Sequence, residues 1–209
     1  MSRSNELLHR FESLKCAPDI IYKLGKLDLK EITECYGIVL FMKRFPIWSV
    51  ENALCLDVGC GKRPTLGIML AHLRKWLITS IDPNLEMKSY DTHRFMPVKS
   101  RLQDVAFSLI CQDYKNIILC ANHSHHQFDE VREITKYTTV HYFVNPCCID
   151  NLPKNVQGQC YINTRIWSDK NKLYYFVLPK EENELAESNY TIPCACILGD
   201  VQNGREEEK

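Results

Sequence analysis

No sign of charge prevails in this chain. Lys and Arg, 26 in all, are matched by 26 Asp and Glu, so no global basic field draws it onto nucleic acid, and only a local basic face could do so. The N-terminal stretch MSRSNELLHRF lacks the apolar run of a secretory signal. No segment approaches the ~20 apolar residues that a membrane-spanning helix needs. A cytoplasmic or nuclear protein with no membrane partner is therefore expected. Core material is not scarce: 45% of the 209 residues are apolar and 25% charged. That excludes a disordered chain and suits one domain, or one with a small appendage. The eleven cysteines are an odd number, and Cys55, Cys111 and Cys120 sit inside apolar runs. They read as reduced, buried thiols and not as a disulfide framework.

Residues 5–14 and 29–44 carry apolar side chains at three and four spacings (Leu7, Leu8, Phe11, Leu14; Ile32, Tyr36, Val39, Leu40), which predicts helices and an N-terminal helical cap over residues 1–50. From there the periodicity changes. The run 53–58 ends at glycines and predicts a buried strand with a tight turn, 65–75 a helix, and 76–81 a second strand closed by Asp82 and Pro83. A weaker strand is expected at 94–98, a helix over 104–114, strands at 116–121 and 139–144, and a helix at 128–135. Two last runs of strand composition, 160–167 and 172–178, flank the polar cluster 168–171 and predict an antiparallel hairpin. Alternating strands and helices that finish in a hairpin predict an α/β, Rossmann-like domain over residues 51–200. Its sheet should be mostly parallel, with helices on both faces, ahead of a flexible charged tail at 201–209.

The segment LCLDVGCGKRPTLGIML, residues 54–70, reads as strand, acidic residue, Gly-x-Gly and helix. Gly59 and Gly61 let the backbone turn sharply and let a ligand approach the strand end, where the following helix presents free amides. The six residues LDVGCG resemble the first motif of the class I S-adenosylmethionine-dependent methyltransferases. Asp82 ends the next strand about twenty residues later, where that family places a carboxylate on the ribose hydroxyls. The resemblance covers roughly residues 53–178 and implies S-adenosylmethionine as cofactor. It implies that Asp57, Gly59 and Gly61 shape the pocket, that Asp82 holds the ribose, and that Gln103 or Asp104 reads the adenine. Asn122 and His123, after the fourth strand, would border the transferred methyl and act by positioning and electrostatics.

Three features of the family are missing. Arg63, followed by Pro64, replaces the third glycine of the first motif. There is no Asp-Pro-Pro-Tyr-like signature for amine methylation, and no lysine-aspartate-lysine-glutamate set of the kind used on RNA ribose. A sulfonium donor is already activated, so an intrinsically nucleophilic ring nitrogen, such as one of a cap guanine, needs only proximity and orientation. RNA is therefore the first acceptor class, with Lys62, Arg63, Arg74 and Lys75 as nearby basic residues; a protein partner is left open. The alternative is a non-catalytic Rossmann-like binding or regulatory module with a degenerate pocket.

Other constellations have plainer readings. His123, His125 and His126, with the cysteines, offer a zinc site, but a polar loop lining a pocket is favoured and no metal is assigned. Cys147 and Cys148 in VNPCCID offer a nucleophile only if something lowers a thiol pKa. Tyr161, Trp167, Tyr174, Tyr175 and Phe176 could stack on a base, yet hairpin aromatics are more often core.

Overall fold

A computed structural model of the chain describes residues 4–25, 28–86, 90, 92–105, 114–123, 128–146, 152, 158–164, 166, 171–181 and 196–197. Helices α1 (Ser4–Glu12), α2 (Ala17–Leu24) and α3 (Leu29–Met42) precede β1 (Leu54–Val58), α4 (Thr65–Leu73), β2 (Leu77–Ile81) and β3 (Phe95–Val98). Then come β4 (Asn116–Asn122), α5 (Phe128–Thr135), β5 (Thr139–Asn145), β6 (Gly158–Ile162), β7 (Lys172–Leu178) and β8 (Cys196–Ile197). The strands form one sheet in the order β3-β2-β1-β4-β5-β7-β6-β8. From β3 to β5 every pairing is parallel, whereas β7 runs antiparallel to both β5 and β6. The fold is thus Rossmann-like, a mostly parallel sheet with an antiparallel β7–β6 pair toward one side, where the two-residue β8 adds parallel to β6. Strand order reverses at β1, with β2 on one side and β4 on the other, so the crevice beyond the ends of these strands is where such sheets take ligands.

Both faces of the sheet are covered, which is why β1 and β4 are nearly continuous apolar runs. Cys55, Ile118, Cys120 and Phe143 join a core with residues of α1 to α4. Leu54, Leu56, Leu119, Tyr142 and Phe176 join a second core with Val131 and Ile134 of α5. The N-terminal helices share one core with the sheet. α3 starts at Asp28, whose carboxylate caps the amides of Lys30 at 3.0 Å and Glu31 at 3.4 Å. From Ile32 to Val39 each of its residues is buried, Glu34 included.

Several boundaries differ from expectation for identifiable reasons. α2 is not among the expected helices; Pro18 opens it, and Ala17, Ile20 and Leu24 bury its inner face. α4 stops at Leu73 because Arg74 turns extended and lays its guanidinium over Trp48 and Trp76, 5.0 and 5.1 Å from their ring centroids. β6 ends at Ile162 and not at residue 167. Asn163 bonds back to the Asn171 carbonyl at 2.9 Å, and Ile166 leaves the sheet to pack on α3 at Gly37. A Cβ at Gly37 would lie 2.8 Å from Ile166 Cδ1. Beyond the short 3₁₀ turn Leu102–Asp104, the helix expected over 104–114 lies outside the described residues up to 113. So do Ser124, His125, His126, Cys147, Cys148, Trp167 and the charged tail. Among the described residues no helix is long and apolar enough to cross a membrane.

Candidate active site

At the carboxyl end of β1 the chain reverses into α4, and both glycines of the turn are in the left-handed region, Gly59 at φ 68° and Gly61 at φ 69°. A side chain at either would be strained. Gly59 N donates to the Ile81 carbonyl at 2.9 Å, and Gly61 N donates to Asp82 Oδ2 at 2.9 Å. The other carboxylate oxygen, Oδ1, accepts from Asn84 N at 2.7 Å. Asp82 therefore ties the end of β2 to the glycine turn. Each of its oxygens carries two lone pairs, so each can accept once more.

Asp57 has a different task. It is paired in register with Ser80 of β2, is 1% exposed, and faces α4. Its Oδ2 accepts from Ser80 Oγ at 2.8 Å and from Gly67 N, in the first turn of α4, at 3.0 Å. Burial pushes its carboxyl up to about 6, against the lowering effect of these two bonds. A Cβ at Gly67 would stand 2.1 Å from Ser80 Oγ and 2.9 Å from Asp57 Oδ2. Gly67 thus supplies the close approach of helix to strand. Arg63 points elsewhere: it pairs with Glu31 Oε2 at 3.7 Å and lines neither of the clefts described next.

Two adjoining clefts open at this end of the sheet. The larger, about 450 Å³, is bounded by Gly59, Gly61, Asp82, Arg101, Gln103 and His123 among others. Gln103 lines it from the turn after β3, while Asp104, the other adenine candidate, is exposed beside it and is not among its lining residues. The smaller, about 240 Å³, lies between α3 and the ends of β1 and β4, and its lining includes Glu31, Glu34, Asp57, Thr65 and Asn122. Gly59, Gly61 and His123 border both. Asn122 and His123 therefore stand beside the glycine turn, with His123 on the boundary between the clefts.

A polar chain fixes that boundary. Asn122 and Asn145 are register partners, and Asn145 Nδ2 donates to Asn122 Oδ1 at 3.1 Å. His123 sits at φ 55°, a left-handed conformation held by its own amide, which donates to the Asn145 carbonyl at 2.9 Å. Asn145 Nδ2 also faces His123 Nε2 at 3.4 Å, and Nε2 stands 3.2 Å from Glu34 Oε1. Glu31 Oε1 accepts from Thr65 Oγ1 at 2.7 Å; burial raises its carboxyl, and Thr65 and Arg63 oppose the rise. Glu31, Glu34, Asn145 and Gly67 are the residues that sequence reasoning missed.

The remaining candidates fall to plainer roles. Burial pushes the Cys35 and Cys60 thiols up, which leaves both protonated and poor nucleophiles. Tyr175 is buried and stacks on Phe143 with centroids 4.5 Å apart, and Phe176 stacks on Tyr142, so these hairpin aromatics are core. Among the described residues no group of three or more His, Cys, Asp or Glu is arranged to hold a metal.

No family model matches the chain. No curated protein matches it either. Among solved structures it is similar to coclaurine N-methyltransferase bound to N-methylheliamine and SAH, with 14% identity and a TM-score of 0.41 over 68% of this chain and 49% of that one. The chain thus spans about half the length of that protein. It is similar to a mutant of MtNAS in complex with S-adenosylmethionine, with 11% identity and a TM-score of 0.46 over 87% of this chain and 73% of that one. A putative S-adenosyl-L-methionine-dependent methyltransferase from Methanococcus maripaludis is 11% identical, with a TM-score of 0.46 over 89% of this chain and 97% of that one. What the strand order β3-β2-β1-β4-β5-β7-β6 itself establishes is the fold, a Rossmann-like sheet with its antiparallel pair at the C-terminal side.

Proposed function

We propose that this chain is a class I methyltransferase that uses S-adenosylmethionine. The observation that carries the reading is the Asp82 carboxylate, which borders the larger cleft together with Gln103 while holding a glycine turn that leaves room for a ligand. The residues fit the cofactor: Asp82 has lone pairs left for a ribose diol, and the Gln103 amide offers a donor and an acceptor for an adenine edge. Bound there, the cofactor supplies a methyl group activated on a sulfonium. Asn122 and His123, locked by Asn145, hold and orient what approaches across the boundary of the clefts. Asp57 acts at one remove, anchoring α4 and thus the turn. Free thiols at Cys16, Cys35, Cys55, Cys60, Cys120 and Cys160 fit a reducing compartment such as the cytoplasm.

For the acceptor, RNA leads on the argument that a ring nitrogen needs no base. Lys62 and Arg101 are exposed near the turn and at the cleft wall and are available to phosphates. The test of the cofactor reading needs no acceptor. Calorimetric titration with S-adenosylmethionine and S-adenosylhomocysteine should show micromolar binding, lost or weakened in Asp82→Ala. No binding by the wild-type chain overturns the reading. A methylation screen with capped and uncapped RNA then tests the acceptor.

A further inference from the structure

We propose that a third cleft, at the amino end of the sheet and remote from the cofactor site, binds the phosphate group of a small phosphomonoester. The cleft, about 450 Å³, is lined among the described residues by Glu51, His72, Arg74, Lys75, His93 and Arg94, with Ala71 and Leu73 as its apolar wall. A volume of this size suits a small molecule. The glycine turn stands at the start of α4 and this cleft at its end, nine residues or about 13 Å away. Arg74 and Lys75, which the sequence groups with Lys62 and Arg63, are thus parted from them by the length of a helix and need an account of their own.

Two guanidinium groups are fixed at this cleft by bonds that use only part of their donor capacity. Arg74 donates from Nη2 to the Val50 carbonyl at 3.2 Å and lies over Trp48 and Trp76. Arg94 donates from Nη1 to the Lys75 carbonyl at 3.0 Å. A guanidinium has five N–H donors, so most remain for a ligand. Arg74 Nε and His72 Nε2 are buried with no hydrogen-bond partner among the described residues, so the fold leaves polar atoms behind the cleft unanswered. Cations at the end of a helix answer its dipole, which accounts for Arg74 and Lys75 beside α4. It does not account for Arg94. That residue belongs to another segment and sits at φ 64°, a left-handed conformation that bulky side chains rarely adopt, with its guanidinium against the backbone of a lysine of like charge. Arg74, Lys75 and Arg94 face Glu51 alone, so with both imidazoles neutral the described lining carries an excess of two positive charges. A phosphomonoester is close to a dianion near neutral pH and matches that excess, whereas a carboxylate or a phosphodiester brings a single charge. Its terminal oxygens accept from planar guanidinium forks, and Ala71 and Leu73 offer an apolar wall to its organic part.

The experiment follows the His72 and His93 ring resonances of the full chain by NMR at constant ionic strength and about pH 8, where a phosphomonoester is a dianion. The probes are inorganic phosphate, propyl phosphate, dimethyl phosphate and butyrate. The first two are expected to give saturable shifts, and the last two to bind at least about tenfold more weakly, one charge-assisted contact fewer. Arg94→Gln and, separately, Lys75→Gln, both at exposed positions, should weaken propyl phosphate by roughly ten- to a hundredfold, the worth of a charge-assisted hydrogen bond. Lys99→Gln, which removes an exposed cation at the other end of β3, should not weaken it. The absence of a saturable shift overturns the proposal. Equal affinity for all four anions does so too, as does an equal loss in all three variants, because diffuse charge and no built site would then hold the anion. Competition by S-adenosylhomocysteine overturns it by placing the phosphate in the cofactor cleft. A 5′-phosphorylated RNA tetramer that binds far more tightly than propyl phosphate overturns the small-molecule occupant. The site does not depend on the methyltransferase reading: propyl phosphate binding without S-adenosylhomocysteine binding leaves it standing and removes only that reading.

Discussion

Replacing Gly67 by alanine tests whether helix α4 is held where the site needs it. On helix propensity alone the change should help, since Ala is favoured over Gly by about 1 kcal/mol inside a helix. The packing says otherwise. The new Cβ would stand 2.1 Å from Ser80 Oγ, 2.9 Å from Asp57 Oδ2 and 3.0 Å from Phe95 Cε2. Ser80 is fully buried, so its hydroxyl has no open side to move to, and α4 must lift or the Ser80 to Asp57 bond must break. Overpacking costs ~1–3 kcal/mol and a lost bond to a charged group ~1.5–3 kcal/mol, so with both incurred the net is a loss of about 1.5–5 kcal/mol after the propensity gain. In urea that corresponds to a midpoint lowered by about 1–2 M. Adding Ser80→Ala removes the nearest atom, and the double variant should lose at least ~1 kcal/mol less than the sum of the singles. A Gly67→Ala protein as stable as the wild type, or more so, would refute the packing argument and leave the propensity one standing.

Asp57 gives a pH dependence of defined sign. Its folded pKa is raised from 3.8 to about 6, so between those values the folded state holds the proton more tightly, and stability present at low pH is lost as pH rises to about 6. The loss is on the order of 3 kcal/mol. Asp57→Asn should flatten urea midpoints from about pH 4 to about pH 7, and an unchanged slope would assign it to other groups. Asp82→Ala should weaken S-adenosylmethionine by about 1–3 kcal/mol in calorimetry with circular dichroism unchanged, and full affinity would remove Asp82 from the site. Trp76→Phe leaves the Val50 carbonyl without its indole donor and a gap in a fully buried position. A loss of about 2–4 kcal/mol is expected by urea unfolding, and a neutral result would mean that Arg74, also bonded to Val50, suffices.

The parallel strands were legible because both faces of the sheet are covered. LCLDV of β1 and NIILCAN of β4 had to be nearly continuous apolar runs, and the only acidic residue in β1 is the one that anchors α4. Asp82 was legible as the residue that closes β2, and the structure adds that its carboxylate ties the glycine turn through Gly61 N. The edges were less so. The run of strand composition after Gly158 does not stay in the sheet, because Ile166 finds a better seat against Gly37 than on the edge. That pairing depends on a distant helix and leaves no local trace. The motif's spacing puts a third glycine at position 63 and the structure needs one at position 67, because the close approach is fixed by where α4 crosses Ser80 and not by the count of residues in the motif.

Glu34 did leave a trace in the sequence. It precedes Ile38 by four residues and Phe41 by seven, so it lies on the same helical face as two side chains that are 1% and 3% exposed. Glu31, three residues earlier, shares that face, and the fold answers it with Thr65 at 2.7 Å and Arg63 at 3.7 Å. Glu34 Oε1 stands 3.2 Å from His123 Nε2 and 3.9 Å from the Lys30 ammonium. Glu34→Gln keeps the size and removes the charge. If these two pairs hold the carboxylate in place, the variant loses about 1 kcal/mol, read as a lower urea midpoint; a midpoint unchanged or raised would mean that burying the charge costs more than the pairs return.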